Sequence, residues 1–215
     1  MARITFHKSP LPIVVLLTDF GSKDHYVGVM KGVICGICPG AHVVDLSHNV
    51  MPQDVTEAAF VLRSAYRYFP SESVFVCVVD PGVGSRRKIV CLRANKQLFL
   101  APDNGLLSVV ASDSPPEEIY AVEDERFFLK PVSKTFHGRD IFAPVAGHLC
   151  KGVEAAQLGP PLPRLQPLRL PRPVRTPGGT LRGEVIHIDH FGNLITNISD
   201  GILQTAFRCR RDRIE

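Results

Sequence analysis

An unbroken apolar run, Ile13 to Leu17, ends in Thr18-Asp19. Such a run, rich in β-branched residues and without alternation, predicts a strand buried on both faces. Apolar residues next recur at helical spacing from Tyr26 to Ile37, and Pro39-Gly40 closes that helix. Val43-Val44-Asp45-Leu46 reads as a second strand. Ala58, Val61, Leu62 and Ala65 then line one face of a helix that Phe69-Pro70 ends. A third strand, Val74 to Val79, delivers Asp80 at its carboxyl end. Ile89 to Leu92 and Gln97 to Leu100 form a strand pair around Asn95-Lys96, and Pro102-Asp103-Asn104-Gly105 is a turn signal. A helix over Phe142 to Leu149 follows Gly138-Arg139-Asp140. The alternation predicts an α/β fold: an N-terminal α/β domain, residues 1–158, with a mostly parallel central sheet. Ligands of such sheets sit beyond the carboxyl ends of the strands, where Asp19 and Asp80 both fall.

The pattern changes at Gly159. From there to Gly179 the chain carries Pro160, Pro161, Pro163, Pro167, Pro171, Pro173 and Pro177 among arginines and leucines. That much proline argues against a helix or a central strand, so residues 159–179 are expected to be an extended linker. Leu181 to Ile188 and Leu194 to Ile198 then read as strands of a second unit, residues 180–215. A stretch of roughly 35 residues is too short to close a stable β domain alone, so this unit is expected to be an incomplete one.

Composition narrows the class. The chain has 215 residues, 45% of them apolar, which fits a soluble globular protein. No apolar run approaches the ~20 residues of a membrane helix, and no small-residue cleavage site follows Arg3 and Lys8. A cytoplasmic protein with reduced thiols is expected. Cys77 and Cys150 read as small core residues. Cys35-Gly36-Ile37-Cys38, with His42 and His48 after it, has redox or zinc spacing, but no second cysteine pair answers it, so no metal is assigned. The net charge of +4 is mild, and the Arg164–Arg182 segment lacks interleaved aromatics, which argues against nucleic-acid binding.

Candidate chemistry concentrates in Val79-Asp80-Pro81-Gly82-Val83-Gly84-Ser85-Arg86-Arg87 and Thr135-Phe136-His137-Gly138-Arg139-Asp140. An acid, guanidiniums and an imidazole lie there on turns whose glycines let backbone approach closely. From the residues alone, a surface ion pair beside a turn, with His137 capping the following helix, is the leading reading of the trio. Asp19 near Gly21-Ser22 could be a helix N-cap, and Phe191 a packed core residue.

With Thr18-Asp19-Phe20-Gly21 upstream and Ile188-Asp189-His190-Phe191-Gly192-Asn193 downstream, the chain resembles the S-adenosylmethionine (SAM) hydroxide adenosyltransferase family. The likeness runs from about Ile13 to Ile198. The resemblance implies an N-terminal α/β domain, the start of a small C-terminal β-barrel, and a homotrimer with substrate held between neighbouring subunits. It further implies hydrolysis of SAM to adenosine and methionine, with SAM as substrate and no cofactor. Family members continue through most of a barrel where this sequence stops at Glu215, so contacts to adenine and to the methionine carboxylate are expected to be incomplete.

Resemblance assigns Asp80, Arg87 and His137 to the handling of water. His137 is the natural proton acceptor, its reference pKa of ~6.5 lying closest to neutrality. Asp80 is expected to orient it, and Arg87 to offset negative charge on the nucleophile, with Arg86 as the fallback. Asp19 matches the carboxylate that accepts both ribose hydroxyls. Asp24 and Asp189 match positions that hold the methionine ammonium, Asn193 an adenine contact, and Phe191 a stacking surface for the base. Halogenating relatives have tyrosine in place of Asp80, and the fluorinating branch has serine in place of Gly138 and threonine in place of Val83. A carboxylate there repels a halide, which favours the hydrolase over a SAM-dependent halogenase. A catalytically weak adenosine- or SAM-binding module, or a subunit completed by another chain, is the remaining alternative.

Overall fold

A computed structural model of the chain describes residues 11–168 and 171–207. The chain folds as two compact units, with the boundary between Pro167 and Leu168.

The first unit is built on a six-stranded sheet of order β2-β1-β3-β5-β4-β6. The strands are β1 (Ile13–Thr18), β2 (His42–Ser47), β3 (Val74–Val78), β4 (Ile89–Ala94), β5 (Gln97–Pro102) and β6 (Glu118–Ala121). β2, β1, β3 and β5 run parallel, while β4 is antiparallel to both β5 and β6. β3 and β5 are buried along their whole length, as their mainly apolar sequences require; β2, at the sheet edge, is half-buried to exposed and carries a bulge in its pairing with β1. Asn95 and Lys96 join β4 to β5 with φ of 52° and 56°, the left-handed pair of a two-residue hairpin loop.

Helix α1 (Tyr26–Ile37) connects β1 to β2, and α2 (Val55–Ala65) connects β2 to β3. The chain therefore leaves β1 in one direction across the sheet and returns past it to β3. Right-handed crossovers put α1 and α2 on opposite faces. In keeping with that, α1 packs on α4 (Ala143–Cys150), and α2 packs on α3 (Ser108–Asp113). The main core lies between the sheet and α1 with α4: Leu16, Val76 and Leu100 meet Met30, Ile34 and Val145. The reversal of strand order leaves a crevice at the carboxyl ends of β1 and β3.

The helix expected over Phe142 to Leu149 is present as α4, preceded by one π-helical turn, Gly138–Phe142. The short α3 and β6 carry no sequence periodicity strong enough to predict them. The proline-rich stretch also differs from a free linker over its first part. Leu162 donates its N–H to Ile119 at 2.8 Å, Pro161 bridges Tyr120, and Gln166 donates to Asp103 at 2.8 Å. Prolines cannot donate, but the residues between them can, and that suffices to lay the chain along a sheet edge.

The second unit holds two antiparallel pairs: β7 (Val174–Arg175) with β8 (Leu181–Arg182), and β9 (Val185–Ile188) with β10 (Leu194–Thr196). A helix, α5 (Asp200–Phe207), follows. The two pairs are separate two-stranded sheets. Among the described residues no helix is long and apolar enough to cross a membrane.

Candidate active site

Asp80 lies just past β3, and its loop is shaped by three local devices. Val83 donates its N–H to the Asp80 carbonyl at 3.2 Å and Ser85 donates to Gly82 at 3.0 Å, which folds the loop back on itself. Asn104, from the turn after β5, donates its side-chain amide to the Val79 carbonyl at 2.9 Å and fixes the backbone just before the acid. Gly84 has φ of +76°, and a Cβ built there would stand 2.5 Å from the Lys134 carbonyl oxygen. Only glycine lets this loop touch the backbone that precedes His137. The spacing of the two motifs is thus set by a backbone-to-backbone contact.

At that junction Arg87 pairs with Asp80. Its Nε donates to both carboxylate oxygens at 2.9 Å, and its Nη2 makes a further short contact to Oδ2. The same Nη2 donates to Nδ1 of His137 at 2.8 Å. The pair is largely enclosed, the side chains being 6% and 12% exposed for Asp80 and Arg87. Arg86 is exposed, and Arg87 alone of the two meets the acid. The expectation that Asp80 orients His137 directly is corrected here: Arg87 stands between them. A guanidinium cannot accept, so Nδ1 of His137 must be bare and the ring's proton must sit on Nε2. Burial and the Arg87 charge hold the imidazole below its ordinary value, outweighing the upward pull of Asp80, Asp140 and the Ser133 backbone. His137 is therefore held toward the neutral Nε2–H tautomer, with Nδ1 closed to a proton by Arg87.

The loop carrying His137 is itself held by Asp140, which is buried and accepts from Ser133 N–H at 2.8 Å and from Arg139 Nε at 2.6 Å. Burial pushes the Asp140 carboxyl up, but these hydrogen bonds bring it below the usual carboxylate range, so it stays ionised.

Asp19 occupies the other side of the crevice, just past β1. Its Oδ2 accepts the backbone N–H of Gln53 at 2.7 Å; Gln53 takes a left-handed φ of 67° to offer it. A cavity of about 340 Å³ is lined by Asp19, Phe20, Tyr26, Pro52, Gln53, Val78, Asp80, Val83, Thr135, His137 and Gly138. A second, of about 200 Å³, shares Phe20, Tyr26, Thr135 and Gly138 and continues toward His25, Met30, Phe136 and Arg139. Phe20, Tyr26 and Phe136 form an aromatic cluster there, with ring centroids about 6 Å apart. The structure so brings Asp19, Asp80 and His137 to one cavity, with Arg87 joining the last two. Asp24 is exposed and lines neither cavity, although its neighbours His25 and Tyr26 do. Sequence reasoning missed Gln53, Asn104, Phe20 and Tyr26, whose roles depend on which loops meet.

In the second unit, Asp189, Phe191 and Asn193 share the β9–β10 loop. Asp189 accepts from the N–H groups of Phe191 at 2.9 Å and Asn193 at 2.8 Å, and from the Asn193 side-chain amide at 2.6 Å. The Asn193 bonds are the main reason its carboxyl sits below the usual range. The Phe191 ring is 87% exposed, which removes core packing as its role.

The cysteines take their place in the fold. Cys77 and Cys91 are buried in strands, and burial pushes both thiols up, Cys91 to about 12. Cys35 is exposed and Cys38 buried at the end of α1. Among the described residues, no group of three or more His, Cys, Asp or Glu is placed to hold a metal ion.

This is an α/β protein with a crevice at its switch point, where a carboxylate–guanidinium–imidazole chain and a second carboxylate share one cavity. The N-terminal domain model of the SAM hydroxide adenosyltransferases matches residues 14–159, and the C-terminal domain model matches 183–214. The chain belongs to the SAM hydroxide adenosyltransferase family. It is 41% identical to the (R)-S-adenosyl-L-methionine hydrolase of Thermus thermophilus, over 86% of this chain and 74% of that one. It is 38% identical to the enzyme of the same name from Salinispora tropica, over 94% and 78%. A fluorinase of an Actinoplanes species is more distant, at 31% over 91% and 74%. Among solved structures, an uncharacterized conserved protein of Thermotoga maritima aligns with a TM-score of 0.82 and 43% identity, over 90% and 74%.

Proposed function

We propose that this chain hydrolyses SAM to adenosine and L-methionine by in-line attack of water on the ribose C5′. One observation carries the reading. In a chain of the family whose relatives at 37–41% identity are named (R)-S-adenosyl-L-methionine hydrolase, the switch-point cavity sets a diol-sized carboxylate, Asp19, against the Asp80–Arg87–His137 chain.

The reaction expels a neutral thioether from a cationic sulfonium, so the leaving group needs no acid. Water is the weak partner, and the site must favour its hydroxide form and hold it in line. His137 offers Nε2–H to the water oxygen. Arg87, behind it, polarises the ring and keeps it from taking a proton, while Asp80 fixes the guanidinium in place. The proton that water loses passes to solvent, and the developing hydroxide is stabilised by an oriented N–H backed by a positive charge. Asp19 holds the ribose: with Oδ2 already taken by Gln53, its remaining lone pairs receive the diol hydroxyls. Asp24, Asp189, Asn193 and Phe191 are assigned to the methionine and adenine ends, and a homotrimer supplies the meeting of the two kinds of domain.

Halogenation is the second reading, raised by the fluorinase relatives. The enclosed carboxylate of Asp80 disfavours a halide beside it and tolerates water, so hydrolysis is preferred. Turnover in 18O-labelled water tests the choice. Label is expected in the adenosine 5′-hydroxyl; a 5′-halogenated adenosine formed in chloride or fluoride would overturn the assignment. Binding of adenosine with no turnover of SAM would instead establish the binding-module alternative.

A further inference from the structure

Asp19 sits in a short turn between Thr18 and Gly21, and one residue of the loop after β2 holds both ends of that turn. Gly21 donates its N–H to the His48 carbonyl at 2.7 Å. At the other end, the Thr18 hydroxyl lies 2.9 Å from His48 Nδ1 and accepts the Phe20 N–H at 3.2 Å. Thr18 is fully buried, and the His48 side chain is 10% exposed. Behind the ring, His48 Nε2 lies 2.9 Å from Asp45 Oδ1, and Lys31 Nζ donates to Asp45 Oδ2 at 2.6 Å.

The ionised acid fixes the donors at one end of this chain. Burial pushes the Asp45 carboxyl up, but the bonds from Lys31 and His48 hold it below the ordinary range, so it is ionised and can only accept. His48 Nε2 must then carry a proton. When the ring is neutral, Nδ1 is bare and accepts the Thr18 hydroxyl, whose oxygen lone pairs remain for the Phe20 N–H. Each link from Lys31 to Phe20 pairs a donor with an acceptor, and the last link ends beside Asp19. The same loop supplies the Gln53 N–H that occupies Asp19 Oδ2.

We propose that His48 is a positioning residue for Asp19: through Thr18 and Gly21 it fixes the turn that aims the ribose-binding carboxylate. The inference rests on the reading of Asp19 given above. The network touches no reacting atom, so its effect is on recognition of the ribose hydroxyls.

The test compares affinities for adenosine and 2′-deoxyadenosine by calorimetry on the full chain. Wild type is expected to prefer adenosine by about tenfold, the worth of one hydrogen bond to a charged group. His48→Gln sets its amide near Asp45 and leaves the Thr18 hydroxyl without its acceptor; Thr18→Val breaks the same link from the other side. Both are expected to shrink the preference to within about twofold, whereas His48→Asn, whose amide oxygen replaces Nδ1, retains most of it. Damage to folding alone lowers both affinities together and leaves their ratio unchanged, and that result overturns the proposal. If His48→Gln does not fold, His48→Asn and Thr18→Val decide it. An Asp19→Ala variant separates the two levels. If it keeps the preference, the ribose reading falls and takes the proposal with it. If it abolishes the preference while Thr18→Val and His48→Gln keep theirs, the positioning role alone is wrong.

Discussion

Arg87 Nη2 donates to His137 Nδ1 at 2.8 Å while the same guanidinium grips Asp80, so the acid reaches the imidazole only through a cation. This inverts the usual order of an acid–imidazole pair, in which the carboxylate supports a ring that becomes charged. Here the neighbour of the ring is positive, and gaining a proton at Nδ1 would set two donors face to face. The arrangement favours a ring that stays neutral and donates.

The first prediction is therefore a pH dependence with a definite sign. A folded-state value held below the ordinary ~6.5 keeps His137 neutral at pH 7, and turnover falls only as pH drops through that depressed value. The acidic limb of kcat is expected below pH ~6.5. Arg87→Gln removes the neighbouring charge, so the His137 ring, followed by its carbon-bound protons in NMR, should titrate at higher pH than in wild type. A value that stays put or moves down contradicts the proposed role of Arg87.

Asp80→Ala leaves the Arg87 charge enclosed without its partner. Breaking such a pair costs about 3 kcal/mol or more when it is well buried, and somewhat less here because Arg87 keeps 12% exposure. Urea unfolding should show a loss of this order. Turnover should fall by about 10²–10³-fold, the range for losing one electrostatic stabiliser of developing charge, with KM changed far less. An Asp80→Ala protein of wild-type stability would mean that the pair is looser in solution.

Much of this is legible in the sequence alone. The helix over Tyr26 to Ile37 and strand β3 stand where apolar spacing puts them, and Asp19 and Asp80 do follow the carboxyl ends of β1 and β3. Those features are local or follow from strand order. What the sequence withholds depends on contacts between loops far apart in the chain. Gln53 reaches Asp19 across 34 residues, Asn104 reaches Val79 across 25, and no periodicity encodes either. His48 draws notice in the sequence only for its distance from a cysteine pair, whereas its partners are Thr18 and Asp45. The order within the Asp80, Arg87 and His137 trio is hidden too, because spacing along the chain cannot say which side chain stands between the other two.

Gly138 offers a third test, since it is buried and tightly walled. A Cβ there would meet Met30 Sδ and Phe20 Cε2, each at 3.2 Å. Gly138→Ser must displace Phe20, which lines both cavities. The expected result is weaker SAM binding, by about tenfold if roughly 1.4 kcal/mol of contact is lost, with no 5′-fluorinated product in fluoride. Fluorination by this single variant would show that Asp80 does not exclude the halide.

The last prediction concerns the contact that brings the two motifs together. Gly84 and Gly21 both have left-handed backbones, with φ of +76° and +68°, but they differ in what surrounds them. A Cβ at Gly21 meets nothing within 4 Å, whereas one at Gly84 stands 2.5 Å from the Lys134 carbonyl. Gly21→Ala should thus cost only the backbone term, about 1 kcal/mol, while Gly84→Ala adds a steric one and should cost about 2 kcal/mol or more. The functional consequences diverge further. Relief at Gly84 requires the 80–87 loop to withdraw from the loop that carries His137, which lengthens the Arg87–His137 contact. Gly84→Ala should accordingly lose turnover at temperatures where it is fully folded, and its His137 titration should move up, as in Arg87→Gln. Equal stability losses for the two alanine variants, or a stable and fully active Gly84→Ala, would show that the close approach to Lys134 is not what holds the site together.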